Sequence, residues 1–413
     1  MRVEDTRPFL VWRKTRWNRF TLPILLGCLE GEGLAEHFRI LLASSIEEIE
    51  RRVSTEKAIV GFSFMTPHLP QVREEVGQLR RVLGGKAVLI AGGSHATGAP
   101  EGTARIGFDY VFTGESEKTF PDFLRRFLEN RLPGTGIFCG GDDSCRFAIN
   151  PPFSLKERFF APMELTRGCF YGCSFCQTPQ IFGHRLRHRP ADFVAGQLKR
   201  LIPHGYGQAF FISPNAFSYG AASLQTPNLS AIEELLDGCR QTGCGGVHFG
   251  CYPSEVRPEW VTPEVLELVK KYCRNRTVVL GAQSGSDSLL AKIKRSHSAE
   301  QARRASNWIR KAGFMPHVDF VFGFPDEEIE DRQLSLACMK KMIEEDGARI
   351  HAHTYLPLPG TPLFCKEPSR LDPATKNALR NWQEKGRLDG WWEEQEGIAW
   401  EIVRWRDEGL IGS

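Results

Sequence analysis

The chain has 413 residues, 41% hydrophobic and 25% charged, a globular composition long enough for two domains or one large domain with appendages. Lys plus Arg total 53 against 50 for Asp plus Glu, and the net charge of +3 gives no electrostatic argument for a nucleic-acid or anionic-membrane partner. No stretch has the roughly 18 apolar residues of a membrane span, and MRVEDTRPFLVWRKTRW lacks the apolar core and cleavage site of a secretion signal, so a cytoplasmic protein is expected.

Apolar runs begin at Phe9 (FLVW), Arg39 (RILL), Ala58 (AIVGFSF), Ala87 (AVLIAGG) and Tyr110 (YVFTGE), with amphipathic stretches between them. That rhythm predicts an α/β domain over residues 1–130, a doubly wound parallel sheet with helices on both faces. Such sheets bind ligands beyond the carboxyl ends of their strands. Those ends carry Ser63 and Thr66, then Gly92, Gly93 and His95 in GGSHAT, then Gly114 and Glu115 in GESE. Paired glycines after a strand let the backbone approach a bulky ligand. On periodicity alone, a generic domain with tight turns explains these segments as well as a cofactor pocket does. No GxGxxG opens the first helix, which argues against a nicotinamide cofactor.

Residues 131–158 are rich in Gly, Pro and Asp and are expected to be a linker, with Cys139 and Cys145 unliganded. The βα rhythm then resumes over residues 159–365, with strands expected at 160–165, Ala209 (AFFISPN), Val247 (VHFGCYP), Val278 (VVLGAQSGSD), His317 (HVDFVFGFP) and Ile350 (IHAHTYLPLPGTP). Six strands suit a partial (β/α)6 barrel, whose chemistry gathers at the strand carboxyl ends. Residues 366–413 read as a helical extension carrying Trp382, Trp391, Trp392, Trp400 and Trp405. A cap on the open end of the barrel is expected there, with a substrate-stacking platform as the sharper alternative.

The segment ELTRGCFYGCSFCQ follows the first barrel strand and sets Cys169, Cys173 and Cys176 within eight residues. Twelve cysteines without a secretion signal point to a reduced compartment, where clustered thiols serve metal or redox chemistry. Three thiolates at C-x3-C-x2-C can hold three irons of a 4Fe-4S cluster and leave the fourth iron open. Zinc is the competing ion, but its structural sites close with four ligands, and the nearest fourth candidate, His184, needs a loop to bring it back. Cys239, Cys244, Cys251 and Cys273 are irregularly spaced and are expected to be free thiols.

The trio, with Phe175 before its last cysteine, resembles the radical S-adenosylmethionine (SAM) superfamily. Gln283-Ser284-Gly285-Ser286-Asp287 resembles the ESGSD segment of the superfamily's cobalamin-binding subgroup, with Gln for Glu. Phe322-Gly323-Phe324-Pro325 resembles the subgroup's glycine-proline turn, and Pro357 to Pro362 its PxPGTP segment. GGSHAT and TGESEKTF resemble turns of its cobalamin-binding domain. The resemblance runs in order over residues 58–365.

The resemblance implies three cofactors: a 4Fe-4S cluster on the trio, SAM on its open iron, and cobalamin. It places Phe175 against the adenine, Ser213 and Asn215 near the methionine moiety, and Gln283 and Ser284 near the ribose or carboxylate. Ser63, Thr66, Gly92, Gly93, His95, Gly114 and Glu115 would lie near the corrin or its nucleotide tail. The implied activity is methylation of an unactivated carbon by way of a 5'-deoxyadenosyl radical and methylcobalamin, with an external flavodoxin- or ferredoxin-type electron donor. Cyclisation, rearrangement or sulfur insertion, with the N-terminal domain as a recognition module, and a non-catalytic iron-sulfur protein are the alternatives. Three departures stand out. Where many cobalamin domains carry DxHxxG, this chain has WRKTRWN from Trp12, without histidine. The cobalt then has no histidine below it, or His68 or His95 approaches differently, or the domain has lost the cofactor. Before Cys139 there is only Cys28, against the three cysteines of the tRNA methylthiotransferase branch, and no cysteine follows Cys365 to build auxiliary clusters.

Overall fold

The structure is a computed structural model that describes residues 5–53, 57–141, 144–224 and 226–412. Strands β1 (Phe9–Arg13), β2 (Arg39–Ala43), β3 (Ala58–Ser63), β4 (Ala87–Gly92), β5 (Tyr110–Thr113) and β6 (Gly136–Cys139) form one parallel sheet in the order β2-β1-β3-β4-β5-β6. Every residue of β3 is buried, which is why its sequence is an unbroken apolar run and not an alternating one. Val60, Phe62 and Leu89 pack into the core on one face, and Leu10, Trp12, Ile59 and Phe112 into the core on the other. The helix Leu69–Leu83 covers the first face with Leu69, Val72, Val76, Leu79 and Leu83, spaced three and four apart. The chain order reverses between β1 and β3, which opens a crevice at their carboxyl ends.

The sheet is one strand wider than expected. β6 and the helix Ser144–Ile149 fall inside the segment read as a linker. β6 is a four-residue edge strand with exposure alternating along it, too short to stand out among Gly and Pro. The side chain of Cys145 lies outside the described residues.

The second half contains β7 (Met163–Glu164), β8 (Thr166–Arg167), β9 (Arg187–His188), β10 (Gln208–Ile212), β11 (Gly246–His248), β12 (Thr277–Gln283), β13 (Met315–Phe322), β14 (Arg349–Thr354) and β15 (Leu388–Gly390). Two parallel sheets, β11-β10-β7 and β12-β13-β14-β15, are joined where Val256 N–H donates to Val279 O at 2.8 Å and Gly281 N–H to Val256 O at 3.0 Å. The result is an open partial barrel. β8 and β9 pair antiparallel and pinch together the two ends of the cysteine loop.

The tail extends the barrel's open edge, where a cap on the mouth was expected. β15 pairs with β14, and at Gly390 (φ +115°) a Cβ would stand 2.1 Å from Ala352 O, so only glycine permits the approach. Trp392 joins the barrel core, whereas Ile402, Trp405 and Ile411 join the core of the first domain.

Candidate active site

The cysteine loop is tied at both ends. Cys169 N–H donates to Gly183 O and Cys176 N–H to Cys173 O, both at 3.1 Å. Gly168 (φ +80°) passes so near Arg185 that a Cβ would lie 2.0 Å from its carbonyl oxygen. Inside the loop, Tyr171 lies under the Arg257 guanidinium, 3.4 Å from the ring centroid, and its hydroxyl accepts from Trp260 Nε1 at 2.7 Å. Arg257 Nη1 and Arg295 Nη1 donate to Cys173 Sγ at 3.4 and 3.6 Å, and Thr178 N–H donates to Cys176 Sγ at 3.4 Å. Burial pushes the Cys169 thiol up to about 11 and raises that of Cys176. A metal held there would take these sulfurs as thiolates, with guanidiniums already in place for the resulting charge. His184 is exposed and lies beside Gly172 of the loop.

Toward the barrel, Phe175 packs on Phe324, 5.3 Å between ring centroids, beside Val321 and Leu363. Ser213 and Asn215 follow β10 and are buried; Ser213 Oγ and Asn215 Nδ2 have no hydrogen-bond partner, while Asn215 Oδ1 accepts from Arg257 N–H at 3.2 Å. Buried polar atoms without partners are costly, and a polar ligand resolves the cost. Gln283 is buried at φ +69°, a strained backbone for a residue with a Cβ, where the β12–β13 register shifts. Its amide shares the space above Gly281 with Glu255 and Arg295. Ser284 turns the other way: its hydroxyl pairs with Ser335 Oγ at 3.1 Å and accepts from Ser286 N–H at 3.0 Å.

The crevice of the first domain is a cavity whose wall includes Ser63, Gly92, Gly93, Gly114 and Glu115, and also Glu164, Arg167 and Ile212 from the barrel. Trp12, Trp17, Phe20, Ile24 and Leu25 give it an apolar side. At Gly93 (φ +94°) a Cβ would sit 2.8 Å from Phe64 N and O. Thr66 and His95 are not among the lining residues; both are fully buried and bonded to each other at 3.0 Å, with His95 stacked on Phe64. His68 stacks on Trp17 at 4.6 Å. Burial lowers both histidines to about 4.

Two family models match the chain: the radical SAM superfamily over residues 163–337 and the B12 binding domain over residues 11–124. The chain carries a radical SAM domain and a B12-binding domain. A radical SAM domain takes a 4Fe-4S cluster and SAM, and a B12-binding domain takes cobalamin. The fold is shared with the radical SAM methyltransferase TsrM from Kitasatospora setae (TM-score 0.65, 17% identity, 87% of this chain and 77% of that one). It is shared too with the cobalamin-dependent radical enzyme OxsB (TM-score 0.64, 12% identity, 93% of this chain and 62% of that one). An uncharacterized protein of Methanopyrus kandleri is 26% identical over 68% of this chain and 63% of its own length. A tRNA-2-methylthio-N(6)-dimethylallyladenosine synthase of Mycobacterium tuberculosis is 27% identical over 62% of this chain and 46% of its own length. The chain thus spans only about half to two thirds of these relatives.

The B12-binding domain and the radical SAM domain meet at three turns. Gly98, closing GGSHATG, lies where a Cβ would stand 2.2 Å from Pro359 O of the PLPGTP turn. Gln177, next to the last cysteine of the trio, donates to Ser94 O at 3.3 Å and Pro359 O at 2.8 Å. Deeper in, Arg167 pairs with Glu115 and Glu164 at 2.8 Å and also with Glu117, and Arg187 pairs with Glu115 at 2.5 Å, all buried. Cys28 is buried between Glu117 O and Asn150 Nδ2, each 3.2 Å from its sulfur. Glu255, Arg257 and Arg295 lie outside the sequence motifs, and Arg167 and Gln177, though within the cysteine segment, gain their contacts only through the tertiary fold. No helix of the described residues is long and apolar enough to cross a membrane.

Proposed function

We propose that this chain is a cobalamin-dependent radical SAM methyltransferase acting on an unactivated carbon. The observation that carries the reading is the composite wall of one cavity: the glycine turns of the B12-binding domain line it together with Glu164, Arg167 and Ile212 beside the cysteine loop. A corrin in that crevice would face the mouth of the barrel. When bound, the cluster with SAM supplies a carbon-centred radical, and cobalamin supplies the methyl group.

Cys169, Cys173 and Cys176 would hold three irons, leaving the fourth to SAM. Ser213 Oγ and Asn215 Nδ2, buried without partners, would bind its polar end, with Gln283 near them and Phe175 offering an aromatic face. Ser63, Gly92, Gly93, Gly114 and Glu115 would hold the corrin edge or nucleotide tail, with Thr66 and His95, bonded to each other, supporting that layer from behind, while Ser284, bonded to Ser335, would steady the turn that carries Gln283. Trp12, Trp17 and Phe20 offer the corrin an apolar surface where a DxHxxG histidine would otherwise stand. That surface excludes water from a reactive site. An external electron donor of flavodoxin or ferredoxin class completes the system. TsrM, named a methyltransferase, supports methyl transfer over the alternatives.

The test is anaerobic reconstitution with iron, sulfide and hydroxocobalamin, then desalting and reduction with SAM. Retained cobalt with 5'-deoxyadenosine and S-adenosylhomocysteine supports the proposal. Deoxyadenosine without retained cobalt removes the cobalamin half, and no deoxyadenosine at all leaves a non-catalytic iron-sulfur protein.

A further inference from the structure

The barrel lumen carries metal-ligating side chains that neither the cysteine loop nor the first-domain cavity uses. Exposure alternates along β13 and β14, so that His317 and Asp319 of β13 and His351 and His353 of β14 share the less buried face. The parallel register sets Asp319 beside His351, and His351 beside Asp389 of β15. His317, His351 and Asp389 each offer one ligand atom, and the three atoms lie within 4.8 Å of one another; Asp319, His351 and His353 form a second such group through the shared histidine.

We propose that this wall of the barrel binds a divalent transition-metal ion on His317, His351 and Asp389, with Asp319 and His353 flanking it. Two imidazoles and one carboxylate are donors that suit zinc or ferrous iron, and three protein ligands leave a place for water or a substrate heteroatom. His317 Nε2 and Asp389 Oδ1 are 3.4 Å apart. Bonds of about 2.0–2.1 Å to a tetrahedral ion set ligand atoms roughly 3.3–3.5 Å from each other. His351 Nδ1 is hydrogen-bonded to the same Oδ1, a contact the ion would open by entering between them. Arg349 Nε holds the other carboxylate oxygen of Asp389 at 2.7 Å, as an outer partner fixing a ligand does. Asp319 lies near the carboxylates of Glu255 and Asp389 and the guanidinium of Arg295, and its place beside His351 in the parallel register sets it next to the triad. The site stands on these donors and not on the cofactor assignment above.

The test uses the full chain with Cys169, Cys173 and Cys176 each changed to Ala, so that cluster thiolates cannot compete. Equilibrium dialysis against Zn2+ alone counts the ion, and zinc-edge X-ray absorption reads its ligands. The expected result is about one zinc per chain with a nitrogen and oxygen shell at about 2.0–2.1 Å that includes imidazole scattering. His351→Gln and Asp389→Asn should each weaken binding at least about tenfold. No retained zinc, sulfur scattering at about 2.3 Å from thiols such as Cys239, Cys244, Cys251 or Cys273, or unchanged affinity in both variants would overturn the proposal. Should either variant fail to fold by circular dichroism, the absorption spectrum of the histidine-intact chain still decides.

Discussion

At Cys173 the sulfur accepts from two guanidiniums, those of Arg257 and Arg295, and each would bear on the potential of a cluster held there. N–H···S bonds and nearby positive charge favour the more negative, reduced state of an iron-sulfur cluster and so raise its potential. Arg257 supplies one of these bonds while stacking on Tyr171, and its Nε pairs with Glu259 at 2.7 Å. Arg257→Gln should therefore lower the cluster potential by tens of millivolts and slow reductive cleavage of SAM. Arg257→Lys, which keeps the charge and loses the fork, should fall between. A redox titration followed by electron paramagnetic resonance, on samples of equal iron content, checks this. An unchanged potential in Arg257→Gln would remove Arg257 from the role.

Among the elements, the decisive junction is the meeting of the GGSHATG turn, the PLPGTP turn and Gln177. A methyl group at position 98 would press on the backbone of Pro359, which cannot yield as a flexible side chain would. Gly98→Ala should cost about 1–3 kcal/mol of docking between the two turns, by overpacking. The reconstituted variant should then keep its iron and lose cobalamin on desalting faster than the parent chain. Equal retention of cobalt would show that this junction does not shape the crevice. The buried pairing of Arg167 with Glu115, Glu117 and Glu164 holds the same two domains together at a second point. Once these charges are out of water, removal of any one partner strands the others.

For the molecule as a whole, the parallel sheets of both halves were legible because buried strands write themselves as apolar runs at βα spacing, and the trio stands out because its three cysteines are adjacent in sequence. β6 and β15 were not, being short edge strands in Gly-rich segments. Ser63, Gly93 and Gly114 could be read from strand ends and do line the cavity, whereas Thr66 and His95 follow the same rule and turn into the core. HVDF and IHAH did carry a period-two signal of polar side chains on one face, which a reading for cores alone passes over. Burial of two other histidines, His95 and His188, sets a property of the entire fold. Burial lowers His95 and His188 from 6.5 to about 4, so the folded chain resists protons that the unfolded chain accepts below about pH 6.5. Stability is then lost as pH falls from 6.5 toward 4. Burial works to raise the Glu117 carboxyl, but Arg167 overcomes it and holds the group below 4.5, so its contribution is present above that value and is lost as pH falls through the lowered one. Both effects point the same way. Calorimetry on the cluster-free chain should show Tm falling from pH 6.5 to 4 and continuing to fall as Glu117 is protonated, and His95→Gln should make the upper limb shallower and leave the lower one unchanged. A Tm that is level between pH 6.5 and 4.5 would mean that these imidazoles are open to solvent protons and that the core around Phe64 is looser than its packing implies.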